Sequence, residues 1–282
     1  MAAAQAIAAP SMDPEIKSDS FVTSDGARLR VLEACPPGAA RSPVIAFVPG
    51  WSMPAEIWRA QLSALGKRHC VAALDPRGQG ESDVPADGYT IERRALDVSE
   101  FVARYPRVVL VGWSLGALEA LEYVDRHGHA ALDALVLVDS SVGEEPQPAS
   151  AGGFIESLRT DRRAALEEFV RDTFRSPREE EEIAALTEAA LRMTLESSLS
   201  LFPRDLPRQH WRDIARAFPK PLLYVVTEQF AEQGQNLAKH RPATRLEVFE
   251  EAGHALFVDE PEKFNALLEE FVGEAARRAA QD

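Results

Sequence analysis

Two hydropathy patterns alternate along the chain. Short, nearly continuous apolar runs are separated by longer segments in which apolar positions recur every three or four residues. The first pattern fits strands and the second fits amphipathic helices. Ser20 to Ala34 alternates on both sides of Asp25-Gly26, a dipeptide suited to a type I′ turn, and predicts an N-terminal hairpin. Apolar runs at Pro43–Val48, His69–Leu74, Val108–Val111, Leu132–Val138, Pro221–Val226 and Arg245–Phe249 predict six further strands. Their continuous apolar character is what strands covered on both faces of a parallel sheet require. Helices are expected at about 55–65, 90–105, 115–127, 231–240 and 262–278. The fold expected is α/β, with a mostly parallel, doubly wound sheet and function at the carboxyl ends of its strands.

The alternation stops between Val142 and Phe218, where only helical patterns occur, broken by Pro177, Pro203 and Pro207. Glu179 to Glu182 reads there as a solvated helix start. Residues 142–218 are therefore expected to form an inserted helical cap, or lid, on a core made of 19–141 and 219–282, with 1–18 as a flexible leader. Phe154, Leu158, Phe169, Phe174, Met193, Leu199 and Phe202 would mostly supply the packing face of that cap.

Composition narrows the function. At 45% hydrophobic and 27% charged residues the chain is an ordinary globular one. Its formal net charge of -14 argues against nucleic acid or anionic membrane as partner. No apolar run approaches the roughly 20 residues that cross a bilayer. The Ala-rich start, Met1 to Pro10, lacks the basic beginning and long apolar centre of a secretory signal but looks like the tail end of one. The compartment is cytoplasmic by default, with export as the alternative; oligomeric state is open, a homo-oligomer included. Cys35 and Cys70 lack metal-ligand spacing, and the simplest reading of Cys70 is a buried free thiol, with pairing of the two left open.

The chemistry centres on Val108 to Tyr123, an apolar run, a Gly112-Trp-Ser-Leu-Gly116 turn and a helical run. A serine on so sharp a turn needs small neighbours, and Gly112 and Gly116 supply them. Ser114 is the candidate nucleophile, which then needs a base and a charged group to orient that base. Of six histidines, His254 alone sits in a loop directly after the last strand, among the strand ends; His210, in the helical insertion, is a distant second.

Four motifs in order carry a resemblance: Pro49-Gly-Trp-Ser52, Asp75-Pro-Arg-Gly-Gln-Gly-Glu-Ser82, Gly112-Trp-Ser-Leu-Gly116 and Gly253-His-Ala-Leu-Phe257 with Glu260-Pro261. From about Phe21 to Val272 the chain resembles the α/β-hydrolase superfamily, in particular small bacterial carboxylesterases and cofactor-free non-haem haloperoxidases. The resemblance implies an oxyanion hole made by the backbone N–H groups of Trp51 and Leu115. Pro49 stands where the family usually has histidine. The usual aspartate after the post-lid strand is missing, with Phe230 in its place. Asp139, after the strand that follows the elbow helix, is the favoured acid and Glu228 the alternative. Asp75, Arg77 and Ser82 would brace their loop, and Trp51 and Trp113 would line the substrate pocket or fill a core layer.

The function expected is a serine hydrolase acting on a small-molecule carboxylic ester through an acyl-enzyme, with no metal or organic cofactor. The same site would serve lactone, amide or carbon–carbon bond hydrolysis or perhydrolysis. A non-catalytic ligand-binding member of the fold is the alternative of another class.

Overall fold

In the computed structural model, which describes residues 14–36, 43–148, 152–203 and 205–279, the strands are β1 (Lys17–Val22), β2 (Arg28–Ala34), β3 (Val44–Val48), β4 (Val71–Leu74), β5 (Val108–Trp113), β6 (Leu132–Val138), β7 (Leu222–Thr227) and β8 (Thr244–Phe249). They form one sheet in the order β1-β2-β4-β3-β5-β6-β7-β8. β1 and β2 run antiparallel, and every pair from β4 through β8 is parallel. The expected doubly wound sheet is thus present. β1 starts at Lys17, inside the stretch expected as leader, because Lys17 and Ser18 extend the hairpin ladder opposite Glu33 and Leu32. Residues 1–13 of that leader lie outside the described residues.

Period-two side-chain alternation divides the core into two layers. Leu110, Leu135 and Leu137 face one side, where they meet α2 (Ile91–Val102) and α3 (Leu115–His127); Val109, Val111 and Val136 face the other, against α1 (Arg59–Leu65) and α11 (Pro261–Ala279). The helices are the amphipathic segments that the spacing predicts. In α2, Ile91, Ala95, Val98, Phe101 and Val102 are buried, and Thr90 caps the start by accepting a bond from the Arg93 N–H. That apolar stripe is what holds the helix on the sheet.

The stretch expected as a cap contains α4 (Gly152–Thr160), α5 (Arg162–Asp172), α6 (Glu180–Ala190), α7 (Leu195–Ser200) and α8 (Arg208–Ala217), with no strand among its described residues. Three boundaries differ from expectation. The helix expected at 55–65 begins as a 3-10 turn, Ala55–Trp58. α9 (Glu228–His240) starts directly after β7, three residues early, and the expected loop beyond His254 contains a short helix, α10 (Leu256–Asp259).

Cys70 is not a free thiol: it is disulfide-bonded to Cys35. The reason is topological. β2 pairs with β4, so Ala34 lies opposite Val71, and the two cysteines flank that pair. No helix among the described residues is long and apolar enough to cross a membrane.

Candidate active site

The parallel register places Val48, Gly112 and Leu137 side by side, then Trp113 beside Val138 and Val138 beside Val225. The residues that follow these strands therefore emerge together at one edge. Ser114 sits there at φ 55° and ψ −120°, between β5 and α3. Its N–H donates to the Val138 carbonyl at 2.9 Å, which locks the elbow to the end of β6. The flanking glycines are sterically required. A Cβ on Gly112 would lie 2.3 Å from the Gly116 carbonyl oxygen, and one on Gly116 would lie 2.5 Å from that of Val48. Among the described residues, three non-glycines have positive φ: Ser52 at 60°, Ser114 at 55° and Asp139 at 41°. All three lie on this edge, and backbone strain of this kind, about 1–3 kcal/mol each, persists where surroundings enforce it.

Asp139 and His254 meet at this edge, where His254 Nδ1 and Asp139 Oδ2 are 2.8 Å apart. Asp139 is buried, and its other oxygen accepts from the Thr227 N–H at 2.7 Å and the Thr227 hydroxyl at 2.9 Å. Its carboxylate is thus clamped at both oxygens. The turn beyond it is held by Tyr224, whose hydroxyl donates to the Ser140 carbonyl at 2.6 Å. Burial, with the charges of Asp139 and Glu144 nearby, pushes that phenol well above its ordinary range, so it stays a donor. Glu228 is exposed in the first turn of α9. It lines a cleft of about 310 Å³ beside His254, but no hydrogen bond joins the two.

The histidine loop is fixed from three sides. Trp113 Nε1 donates to the His254 carbonyl at 2.9 Å, and the two rings lie 5.2 Å apart. The Ala255 N–H donates to the Thr173 carbonyl at 2.9 Å. Asp259 accepts from the N–H groups of Gly253, Arg175 and Ser176 at 2.8, 2.9 and 3.0 Å. Burial raises the Asp259 pKa, but Ser176 and these backbone donors outweigh it and hold the carboxyl below its usual range. Trp113 is therefore a buried brace beneath the histidine, 1% exposed. His210 is elsewhere, with its Nε2 2.6 Å from Glu122 at the contact of α8 and α3. Glu122, Asp125 and His210 are close enough to share a metal ion, though Arg126 already pairs with Glu122.

The N–H groups of Trp51 and Leu115 have no hydrogen-bond partner among the described residues. Gly50, before Trp51, approaches the Ser114 turn so closely that an added Cβ would lie 3.1 Å from Ser114 Cβ. The Trp51 loop is held by a residue that sequence reasoning missed. Gln79 Nε2 donates to the carbonyls of Gly50 and Met53 at 3.0 and 2.7 Å, while its Oε1 accepts from Arg94 at 3.1 Å. Behind Arg94 stands buried Glu119, 2.9 Å away, whose carboxyl is pushed up to about 7 by burial against the opposing pull of Arg94. Asp75 and Ser82 brace the adjacent loop as expected, Asp75 accepting from the Ala55 and Glu81 N–H groups at 2.6 and 2.8 Å. Arg77 anchors it to Asp97. The Trp51 ring is enclosed by Phe154, Phe169 and Phe202, and its Nε1 donates to the Ser198 carbonyl at 2.7 Å.

A model of the alpha/beta hydrolase family matches residues 45–267. The chain belongs to that family. This alpha/beta hydrolase is 28% identical over 261 residues to the pimeloyl-(acyl-carrier protein) methyl ester esterase of Aeromonas hydrophila, covering 83% of the chain and 96% of that relative. Its fold is similar to that of an esterase from Exiguobacterium antarcticum, with a TM-score of 0.79 and 24% identity over 90% of this chain and 98% of the other. It is similar also to a bromoperoxidase from Bacillus anthracis, with a TM-score of 0.78 and 18% identity over 90% of this chain and 100% of the other. Thr227 and Gln79 were the members of the site that motif reading passed over. Thr227 was findable only from the strand order, since β6 and β7 must be neighbours before its position beside Asp139 has meaning.

Proposed function

We propose that this alpha/beta hydrolase is a serine esterase that cleaves a carboxylic ester of a small or medium-sized molecule through an acyl-enzyme. The observation that carries the reading is the 2.8 Å pair of His254 Nδ1 and Asp139 Oδ2 on the sheet edge where Ser114 stands strained. Asp139, clamped by Thr227, keeps the histidine proton on Nδ1 and so leaves Nε2 free to accept the serine proton. Ser114 Oγ then attacks the ester carbonyl, and the resulting oxyanion is received by the N–H groups of Trp51 and Leu115. Each such donor is worth about 3 kcal/mol in the transition state. His254 passes its proton to the leaving alcohol. Water, deprotonated by the same nitrogen, releases the acid and restores Ser114.

Residues 142–218 act as the cap. The reading is supported by the enclosure of Trp51 within Phe154, Phe169 and Phe202, which ties the helical block to the oxyanion loop. Ester chemistry agrees with the activity that the name of the Aeromonas relative states. The Cys35–Cys70 disulfide supports an oxidising compartment over the cytoplasm. The test is turnover of p-nitrophenyl acetate by the purified chain and by Ser114→Ala. We expect hydrolysis by the wild type and a loss of about 10⁶-fold in the variant. Turnover that survives in Ser114→Ala, or none in the wild type, would overturn the reading.

A further inference from the structure

The amino edge of the sheet, opposite Ser114, carries a cavity of about 470 Å³ walled by Arg107, Asp133, Lys220, Arg241 and Arg278. The topology brings them together: Arg107 precedes β5, Asp133 lies at the start of β6, Lys220 precedes β7, Arg241 precedes β8, and Arg278 lies in the last turn of α11. Four cationic side chains face one carboxylate there, on a chain of formal net charge -14.

Arg241 is 8% exposed and has no acidic partner among the described residues. Its guanidinium donates to the carbonyls of Phe218 at 3.1 and 2.8 Å and of Lys220 at 2.5 Å, and to the Thr244 hydroxyl at 3.1 Å. Burial pulls its pKa down, the mark of a charge that its surroundings leave uncompensated. Among the described residues Lys220 likewise meets only carbonyls, those of Ala130 and Leu132. Arg278 has no hydrogen-bond or ionic partner among the described residues. Arg107 alone is answered, its Nε donating to Asp133 Oδ1 at 2.9 Å, and even there Asp133 Oδ2 is buried without a donor.

The geometry points to a second binding site, for a small phosphate-bearing anion whose charge Lys220, Arg241 and Arg278 neutralise, Arg107 being held by Asp133. Arg278 suits this task because its planar fork, without a partner among the described residues, matches phosphate oxygens, and the charge-assisted bonds formed are among the strongest available. The cavity is larger than one phosphate needs, so a diphosphate group fits the opening. Standing at the opposite end of the strands from Ser114, the site is not the ester pocket, and its ligand would act on the fold from the far side.

The test is isothermal titration of the full-length chain with inorganic pyrophosphate at low ionic strength, with sodium sulfate as control. We expect saturable binding with Kd of about 1 mM or tighter, weaker binding of sulfate, and loss of binding in about 0.5 M NaCl. Arg278→Ala and Lys220→Gln should each weaken pyrophosphate by about fivefold or more. Arg241→Gln should abolish it, but that buried residue also braces two loops, so the exposed Arg278 is the deciding position. No saturation up to about 10 mM pyrophosphate would overturn the inference. So would equal affinity in the wild type, Arg278→Ala and Lys220→Gln, which would move the anion to another surface.

Discussion

Replacing Asp139 with asparagine tests the acid at almost constant volume. The clamp decides which way the amide faces. Oδ1 accepts two bonds from Thr227, one of them a backbone N–H at 2.7 Å that can only donate. The asparagine carbonyl oxygen must take that place, and the NH₂ group then occupies the Oδ2 position, 2.8 Å from His254 Nδ1. Facing a donor, Nδ1 has to become the acceptor, which transfers the ring proton to Nε2. That nitrogen can then no longer accept the serine proton, and the stabilising charge on the imidazolium is lost as well. The expected cost is about 10⁴-fold in kcat, or about 5 kcal/mol, with KM little changed. Glu228→Gln is the matched control, because its side chain is exposed and makes no bond to His254. The assay is kcat for p-nitrophenyl acetate, run beside a thermal melt to show that both variants are folded. A kcat for Asp139→Asn within tenfold of wild type would refute the reasoning, as would a larger loss in Glu228→Gln.

Other consequences concern stability. Glu119 titrates near 7 in the folded chain against an ordinary 4.5, so between those values the native state holds a proton that the unfolded chain has released. Stability is greatest below pH 4.5 as far as this group is concerned, falls as pH rises toward 7, and is flat above. Unfolding free energies from urea melts at pH 4.5 to 8 should therefore decline more in wild type than in Glu119→Gln, by about 3 kcal/mol; parallel curves would contradict the raised value. Gly116→Ala drives a methyl into the Val48 and Pro49 carbonyls, 2.5 and 2.6 Å away. It should cost about 2–3 kcal/mol in urea unfolding and also lower kcat by displacing the Trp51 loop; an unchanged midpoint would show that the elbow is looser than described. Thiol titration of the native chain should find no free thiol, and the Cys35→Ser/Cys70→Ser pair should lose about 3–4 kcal/mol, from the chain-entropy cost of a loop spanning 35 residues. One free thiol per chain or more would contradict the pairing.

The sheet was legible because its strands are covered on both faces, which writes them as unbroken apolar runs. The placement of Ser114 and His254 at the strand ends was legible for a related reason: a glycine-bounded turn and a loop histidine each follow directly on such a run. Which of Asp139 and Glu228 meets His254 was not. It depends on Thr227 ending β7 and α9 beginning at the next residue, which leaves Glu228 on an exposed first turn and gives the Thr227 donors to Asp139. The cysteines were obscure because β2 and β4 are neighbours only after β3 has crossed between them in sequence. Trp51 was ambiguous between pocket and core until the packing of the helical block around its ring was known. Gln79 and Glu119 carry no motif at all, since a buried polar network is defined by its partners rather than by its spacing.

The central claim, that Ser114 is a nucleophile set on this edge for acyl transfer, is tested most directly by acid-quenching the enzyme within milliseconds of mixing with p-nitrophenyl acetate and mapping the acetyl group by peptide mass spectrometry. The account predicts an acetyl group on Ser114 in the wild type, slower to form in Asp139→Asn and absent in Ser114→Ala. An acetyl group on another residue with Ser114 unmodified, or product release with no acyl intermediate and no loss in Ser114→Ala, would contradict it.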